Sequence, residues 1–313
     1  MLWYKLRCFL GTPGQSATNL SADDLDKYFT TKVELIHSST SSAPPPNIID
    51  RPVTEPLIEF EPVTVSEAAK LLIGASPKQC SLDPVPSWLV KRVSDVIAPV
   101  IAAICNASFQ QASLPVYQKS AIVRPLLKKS TLDQNDPSSY RPISNLSFIS
   151  KIVEKAVDAR LTKHLDQHHL LPIHQSAYRR CHSTETAIVH MHDAIINAID
   201  HGHIGALILL DMSAAFDTVD HNVLYETLHR RAGVDGSALK WLTDFTKDRS
   251  LSVHMDETTS AARVNMFGVP QGSVLGPKQI ILYTEDASDF FKSLGITHHF
   301  YADDMQGIFH GPP

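Results

Sequence analysis

Cysteine is scarce in this sequence of 313 residues, and the few cysteines form no recognisable motif. The four of them stand far apart, at positions 8, 80, 105 and 181, with neither a CxxC pair nor zinc-finger spacing. Because disulfide frameworks and cysteine-based zinc sites depend on such spacing, the cysteines predict neither. We expect reduced thiols in an intracellular protein, nuclear or cytoplasmic, that is not secreted. The sixteen histidines likewise show no zinc-binding spacing.

Long apolar runs and a net positive charge are also missing. No stretch is long and apolar enough to span a membrane. The opening segment Met1–Leu10 is interrupted by Lys5 and Arg7, which argues against a signal peptide. The formal net charge is −5, whereas nucleic-acid-binding proteins are usually basic. Basic residues nevertheless concentrate between positions 119 and 180, so the net charge does not exclude an RNA-binding surface in that region.

Composition divides the chain into three parts. Residues 1–60 are predicted to be a poorly ordered linker, because they are rich in serine and proline and contain only one short helical pattern, over 16–29. Residues 61–118 are predicted to be helical, with one long helix over 87–107. Residues 119–313 contain the remaining helices and the strands.

Hydrophobic periodicity predicts the elements of this third part. Helices are predicted over 148–165, 183–200, 222–231 and 237–245, and paired strands over 121–127 with 140–144, 251–255 with 262–267, and within 300–309. This mixture of helices and antiparallel strands predicts an α+β fold.

Two stretches that contain aspartates indicate where the chemistry lies. Residues 207–210 are all apolar and run into Asp211, which predicts a buried strand that presents a carboxylate at the edge of a cleft. Two aromatic residues at 300–301 precede Asp303 and Asp304 in a predicted hairpin. A lone aspartate is more often a solvated turn residue. If the strands are neighbours, however, the carboxylates converge as two-metal phosphoryl transfer requires, and Mg²⁺ suits such oxygen ligands.

Six motifs follow one another in a fixed order. They are Leu-Asp-Pro-Val-Pro at 82–86, Tyr-Arg-Pro-Ile-Ser-Asn-Leu at 140–146, His-Ser-Thr-Glu-Thr-Ala at 182–187, Asp-Met-Ser-Ala-Ala-Phe-Asp at 211–217, Gly-Val-Pro-Gln-Gly-Ser-Val-Leu-Gly-Pro at 268–277, and Phe-Tyr-Ala-Asp-Asp at 300–304. Together they resemble the motifs of reverse transcriptases, and more narrowly those of LINE-type (non-LTR) retrotransposons. One such motif is a weak signal, whereas the ordered set is a strong one.

The resemblance implies a right-hand polymerase fold with fingers and a palm, the palm sheet being antiparallel and backed by helices. It implies an RNA-directed DNA polymerase that uses dNTPs, an RNA template, a DNA primer and two Mg²⁺ ions, with Mn²⁺ as an alternative, and no membrane. Because the sequence stops soon after Asp304, we expect a truncated fragment without a thumb.

The family's metal site transfers to four positions. By resemblance, Asp211, Asp303 and Asp304 are the catalytic carboxylates, and the backbone carbonyl of Met212 is a further metal ligand.

The family's nucleotide site transfers to five more positions. Arg141 would hold the triphosphate, assisted by Lys128, although the resemblance does not decide between Lys128 and its neighbouring lysine. Phe216 would lie under the sugar, where its ring excludes a 2′-hydroxyl; core packing is the competing explanation. Gln271 and Gly272 would contact nucleotide and template, since glycine permits close backbone approach.

Two other functions compete with this one. A catalytically inactive remnant would keep the fold and bind RNA weakly through the basic region. An RNA-templated RNA polymerase shares the carboxylates, but Phe216 argues against it. The sequence also departs from the family at Lys278 and Gln279, where apolar residues are usual. Their burial would cost stability unless they reach solvent.

Overall fold

The computed structural model describes residues 18–76 and 80–312, so the opening segment Met1–Leu10 lies outside the described residues. Its helices are α1 (Ala22–Thr40), α2 (Val65–Gly74), α3 (Ser87–Arg92), α4 (Ser94–Gln110), α5 (Phe148–Gln167), α6 (Thr184–Asp200), α7 (His221–Arg230), α8 (Gly236–Thr246), α9 (Gly276–Tyr283) and α10 (Glu285–Ser293). Its strands are β1 (Ser120–Leu127), β2 (Tyr140–Asn145), β3 (Ile204–Leu210), β4 (Arg249–Met255), β5 (Thr258–Thr259), β6 (Arg263–Asn265), β7 (Thr297–Tyr301) and β8 (Asp304–Gly311). Within these ranges no helix is both long and apolar enough to cross a membrane.

A five-stranded sheet is built on the β1–β2 hairpin. Its order is β2-β1-β4-β5, and β6 pairs with β4. The predicted pairing of β1 with β2 is confirmed as antiparallel, with Leu126 opposite Arg141. The predicted pairing of β4 with β6 is confirmed as well. The parallel pairing of β1 with β4, with Ser120 opposite Ser250, joins segments far apart in the sequence and was not predicted.

The second sheet has three antiparallel strands in the order β3-β8-β7. It contains the predicted hairpin of residues 300–309. Helices α6 and α10 pack against β7, and α6 also contacts β3 and β8. Sheets and helices together confirm the α+β class.

Strand β3 corrects one prediction. It forms as expected, but it is not buried: Leu207 is 54% exposed and Leu209 is 65% exposed. The reason is the position of β3 at the edge of its sheet, because in the described part of the chain it pairs with β8 alone. An apolar run therefore predicted the strand correctly and its burial wrongly.

Helix α1 corrects part of a second prediction, because residues 22–40 of the segment expected to be a poorly ordered linker form a helix. Ser21 caps this helix, which continues to Thr40 instead of ending near Phe29. Leu25 and Phe29 are buried in a core shared with the five-stranded sheet, and Asp26 forms an ion pair with Arg263 of β6 at 2.7 Å. The proposed domain boundary near residue 60 stays a prediction.

The main core surrounds α5, whose boundaries agree with the predicted helix to within a few residues. Helices α6, α7 and α8 were also predicted correctly. The long helix predicted over 87–107 is instead two helices, α3 and α4, interrupted at Val93, whose φ of −110° and ψ of 28° are not helical.

Two polar residues of α9, Lys278 and Gln279, are buried, which is the situation that we expect to cost stability. Lys278 does not reach solvent; its ammonium group pairs with Asp158 at 2.6 Å. Gln279 is fully buried, and within residues 18–76 and 80–312 neither polar atom of its side chain has a hydrogen-bond partner. The ion pair with Asp158 therefore offsets the cost of burying Lys278, whereas no hydrogen bond in the described chain offsets the cost of burying Gln279.

Candidate active site

The strand register brings the predicted carboxylates to one end of the three-stranded sheet. Asp211 directly follows β3, whose last residue, Leu210, lies opposite Met305. Asp304 opens β8, and Asp303 occupies the tight turn before it. Because β3 and β8 are antiparallel neighbours, the end of one strand lies beside the start of the other. The sequence analysis required these strands to be neighbours for the carboxylates to converge, and they are neighbours.

The turn that carries Asp303 is held by a buried glutamine. Ala302 has a φ of +57°, a conformation that costs energy for a residue with a Cβ and therefore needs support. Gln175, 1% exposed, supplies it: its Oε1 accepts from the N–H of Ala302 at 2.9 Å, and its Nε2 donates to the carbonyl of Ala302 at 3.1 Å. Gln175 is thus a positioning residue; the sequence matches the family at this position but does not indicate this role.

Backbone hydrogen bonds also fix the position of Gln175 itself. The N–H of Phe300 donates to the carbonyl of His174 at 2.7 Å, and the N–H of Ser176 donates to the carbonyl of Phe300 at 3.1 Å. The segment around residue 175 therefore runs beside β7 like a short additional strand. Nothing in the local pattern of the sequence indicates this pairing.

Negative charge accumulates at the turn. Burial raises the pKa of the Asp303 carboxyl, and the neighbouring carboxylates of Asp304 and Asp211 raise it further, while Arg141 opposes them. Burial and the charge of Asp303 also raise the pKa of the Tyr178 hydroxyl. Carboxylates that repel one another in this way form a favourable position for a cation.

Basic side chains lie opposite these carboxylates, across a cleft. Lys128 follows β1, and its ammonium group donates to the carbonyl of Ser138 at 2.8 Å. Burial lowers the pKa of Lys128, and the neighbouring cations of Lys32 and Arg141 lower it further. All three residues line one cleft. Across residues 18–76 and 80–312, no carboxylate lies within ion-pair distance of these three residues.

A cleft of about 610 Å³ separates these two groups. Seven of the predicted site residues line it: Lys128, Arg141, Asp211, Met212, Phe216, Gln271 and Asp303. Asp304 and Gly272 do not; Asp304 is exposed on β8 beside the turn. Residues that the sequence did not single out also line the cleft, among them Lys32 from α1 and Tyr178. No local signal distinguishes Lys32, because it comes from a segment expected to be a linker.

Comparison with known proteins agrees with this arrangement. Residues 126–312 match the family described as reverse transcriptase (RNA-dependent DNA polymerase). The chain belongs to the reverse transcriptase family. The predicted resemblance to the LINE-type (non-LTR) enzymes is confirmed by the relatives below.

Three relatives come from Drosophila. The probable RNA-directed DNA polymerase from transposon BS of Drosophila melanogaster is 29% identical over 257 residues, which cover 79% of this chain and 28% of that protein. The corresponding X-element protein of the same species is 28% identical over 255 residues, or 80% of this chain and 27% of that protein. The RNA-directed DNA polymerase from mobile element jockey of Drosophila funebris is 26% identical over 254 residues, or 78% and 27%. The chain therefore spans little more than a quarter of these relatives.

In this reverse transcriptase domain the loop of residues 268–273 connects β2 of the five-stranded sheet to the segment that follows Asp211. The N–H of Ser144, in β2, donates to the carbonyl of Gln271 at 2.7 Å, and the N–H of Val269 donates to the carbonyl of Phe216 at 2.7 Å. Gly272 has a φ of +118°, and a Cβ there would lie 2.5 Å from the carbonyl oxygen of Ser144. Close backbone approach at Gly272 is thus confirmed, but toward β2. Its contact with a nucleotide stays a prediction.

Phe216 packs in the core and also faces the cleft. It is only 9% exposed and belongs to the main core, yet its ring also lines the cleft of the reverse transcriptase domain. Its role toward a sugar stays a prediction.

Asp217, the next residue, faces the same cleft, and burial raises its pKa to about 7, against the opposing effect of Lys32 and Arg263. Asp220 caps α7, as expected of a helix-start residue.

A buried glutamate, Glu154, holds the residues that directly follow this loop. Glu154 of α5 accepts hydrogen bonds from the N–H groups of Val274 at 2.6 Å and Leu275 at 3.4 Å, where α9 begins. A carboxylate at a helix N-terminus is stabilised by the exposed N–H groups and the helix dipole. The main core is in this way connected to the wall of the cleft.

Proposed function

We propose that the cleft adds deoxynucleotides to the 3′-hydroxyl of a primer, as an RNA-directed DNA polymerase does. One observation carries the proposal: Asp211 and Asp303 face an unpaired basic cluster, Lys32, Lys128 and Arg141, across one cleft. A nucleoside triphosphate with its metal ions needs both kinds of surface, because its phosphates bind cations of the protein and its metals bind carboxylates.

The carboxylate side fits divalent metal ions. Asp211, Asp303, Asp304 and the backbone carbonyl of Met212 would hold two Mg²⁺, with Mn²⁺ as an alternative, since all the donors are hard oxygen atoms. The mutual repulsion that raises the pKa of Asp303 supports this assignment. When bound, such ions make a hydroxyl more nucleophilic and neutralise charge on phosphate oxygens.

The basic side would bind and orient the triphosphate. Arg141 offers a planar guanidinium group that matches phosphate oxygens in a bidentate manner, while Lys128 and Lys32 act as point charges. Because none of them is committed to a carboxylate in the described residues, they are available to an anionic ligand. The anchoring of Lys128 to the carbonyl of Ser138 restricts its position.

The floor of the cleft would select the sugar. Phe216 is fixed by core packing, so its ring cannot withdraw from a ribose 2′-hydroxyl. Gln271 lines the same cleft beside Arg141, with Gly272 next to it in the loop. This arrangement favours deoxynucleotides over ribonucleotides.

The three-stranded sheet would be the palm and the five-stranded sheet part of the fingers. The relatives named above are RNA-directed DNA polymerases from transposons. We therefore assign an RNA template and a DNA primer to this chain as well, and place its activity inside the cell.

Primer extension tests the proposal. The purified chain is given an RNA template, an annealed DNA primer, dNTPs and Mg²⁺, alongside Asp303→Asn, which removes a metal-binding charge but keeps the shape. We expect extension by the parent and a loss of at least about 10²-fold in the variant. Asp193→Asn, on the exposed side of α6, is the matched control and should extend normally.

Three outcomes would contradict the proposal. If neither parent nor variant extends the primer, this chain is an inactive remnant, and retained RNA binding would support that alternative. If Asp303→Asn extends as well as the parent, the carboxylates are not the site. If the parent prefers rNTPs, the chain is an RNA-templated RNA polymerase and not a DNA polymerase. Under the proposal, Phe216→Val should shift the selectivity of the chain from dNTPs toward rNTPs.

A further inference from the structure

Three histidines from separate segments meet behind the Asp303 turn. His174 precedes Gln175, His190 lies in α6, and His299 lies in β7. One ring nitrogen from each lies within 4.8 Å of the others. These histidines show no zinc-binding spacing in the sequence because they become neighbours only in the folded chain.

The cluster contains ring nitrogens that are buried and have no hydrogen-bond partner among the residues that the structure describes. These are Nδ1 of His190 and Nδ1 of His299. The other nitrogen of His299, Nε2, is hydrogen-bonded to the hydroxyl of Ser176 at 2.7 Å. The adjacent His298 differs, because its Nε2 bonds to the hydroxyl of Ser288 at 2.8 Å and its Nδ1 to the carbonyl of Ile296 at 3.1 Å. Buried polar atoms are normally satisfied, so the unpaired nitrogens call for a partner.

We propose that His174, His190 and His299 bind one divalent transition-metal ion of the Zn²⁺ class. Imidazole nitrogens suit zinc and its neighbours in the first transition series, whereas Mg²⁺ prefers oxygen donors. The site is distinct from the carboxylate site and does not depend on polymerase activity.

The geometry needs only a small adjustment. Zinc–nitrogen bonds of about 2.0–2.1 Å in a tetrahedral site place the nitrogens roughly 3.4 Å apart, so the rings must approach by about 1 Å or a little more. A three-histidine site leaves a fourth position for water.

The groups around the cluster also suit a metal. Ligating histidines usually donate their second N–H to a neighbouring oxygen, which fixes the ring, and the hydroxyl of Ser176 stands in that place for His299.

A metal here would connect three elements at the back of the candidate active site. It would tie α6 and the segment of Gln175 to β7, the strand that leads into the Asp303 turn. We therefore expect metal binding to stabilise the chain against unfolding as well.

Metal titration tests the site directly. The metal-free chain is titrated with Zn²⁺ against a chromogenic chelator, with Mg²⁺ in excess so that oxygen sites are already occupied. We expect one Zn²⁺ per chain and a higher unfolding midpoint. His174→Ala and His190→Ala should each weaken binding by at least about tenfold, the range that loss of even an outer-shell partner causes.

Two histidine variants serve as controls. His192→Ala removes an exposed histidine from the same helix, α6. His203→Ala disrupts a separate surface pair in which His203 Nδ1 lies 2.9 Å from His310 Nδ1. Both should bind Zn²⁺ like the parent.

The proposal is overturned if the parent binds no Zn²⁺, or if either control loses as much affinity as His190→Ala. Circular dichroism checks that each variant folds. Should His190→Ala fail to fold, Co²⁺ in the parent still decides: a tetrahedral absorption spectrum is expected, and a weak octahedral one contradicts the site.

Discussion

The two sides of the cleft are built in opposite ways. On the acidic side, Asp303 sits in a strained turn held by a buried glutamine and by backbone hydrogen bonds. On the basic side, Lys128 and Arg141 are exposed, and Arg141 is committed to no carboxylate of the described chain. Metal ligation tolerates little displacement, whereas phosphate binding by flexible cations tolerates more. The acidic side should therefore be sensitive to its supporting residues, and the basic side to its charges.

The largest effect is expected at the support of the acidic side. Gln175→Ala removes both hydrogen bonds to Ala302 and releases the strained turn. Because misplacement by about 1 Å can cost about 10²-fold in rate, we expect a loss of primer extension of that order. The readout is kcat at saturating dNTP, measured beside Gln167→Ala, an exposed glutamine at the end of α5. Equal effects in the two variants would show that the turn needs no such support.

A second glutamine offers the contrasting case. Gln279 is as deeply buried as Gln175, yet its side chain has no hydrogen-bond partner. An unsatisfied buried amide costs about 1–3 kcal/mol, so Gln279→Leu should raise the free energy of unfolding by about 2 kcal/mol. Denaturant unfolding measures this change, and activity should be unaffected. A destabilised variant would mean that the amide has partners in solution.

Removing charge from the basic side should change substrate binding and little else. For Arg141→Ala we expect the KM for dNTP to rise about tenfold, the effect of losing roughly 1.4 kcal/mol of binding. Arg141→Lys should recover part of this loss through its charge, but not the bidentate geometry. Lys32→Ala should act in the same direction. Steady-state kinetics and thermal unfolding together test this, and a large fall in unfolding midpoint would contradict the distinction between the two sides.

The last prediction concerns stability at high pH and the acid that faces the basic side. Burial raises the pKa of Asp217 from 3.8 to about 7. The folded chain therefore holds this proton more tightly than the unfolded chain, so the stabilising contribution is complete below about pH 4 and is lost as the pH rises toward 7. Because one pKa unit corresponds to about 1.4 kcal/mol, Asp217→Asn should raise the free energy of unfolding at pH 8 by roughly a few kcal/mol.

The same substitution should leave the free energy of unfolding unchanged at pH 4. Unfolding titrations at several pH values, with Asp193→Asn as the control, measure the difference. An unchanged pH slope in Asp217→Asn would assign the dependence to another group.

Local pattern predicted much of the secondary structure. Helix α5 and the β7–β8 hairpin follow from periodicity and turn chemistry, so they were found from the sequence alone. The acidic residues of the cleft followed from their motifs.

What escaped prediction depends on contacts between distant segments. The pairing of β1 with β4, the support of Ala302 by Gln175 and the position of Lys32 all join residues that are far apart in the chain. The exposure of β3 has a similar origin, since no local pattern says whether a strand will lie at the edge of a sheet.

Helix α1 has a practical consequence for anyone who shortens this chain. The family match begins at residue 126, inside β1, and excludes α1 altogether. A chain trimmed to that match would lose most of the strand between β2 and β4, the apolar side chains of Leu25 and Phe29, and the cation Lys32. The smallest unit that keeps the cleft intact thus starts before Ser21, the cap of α1, about a hundred residues ahead of the boundary suggested by similarity alone.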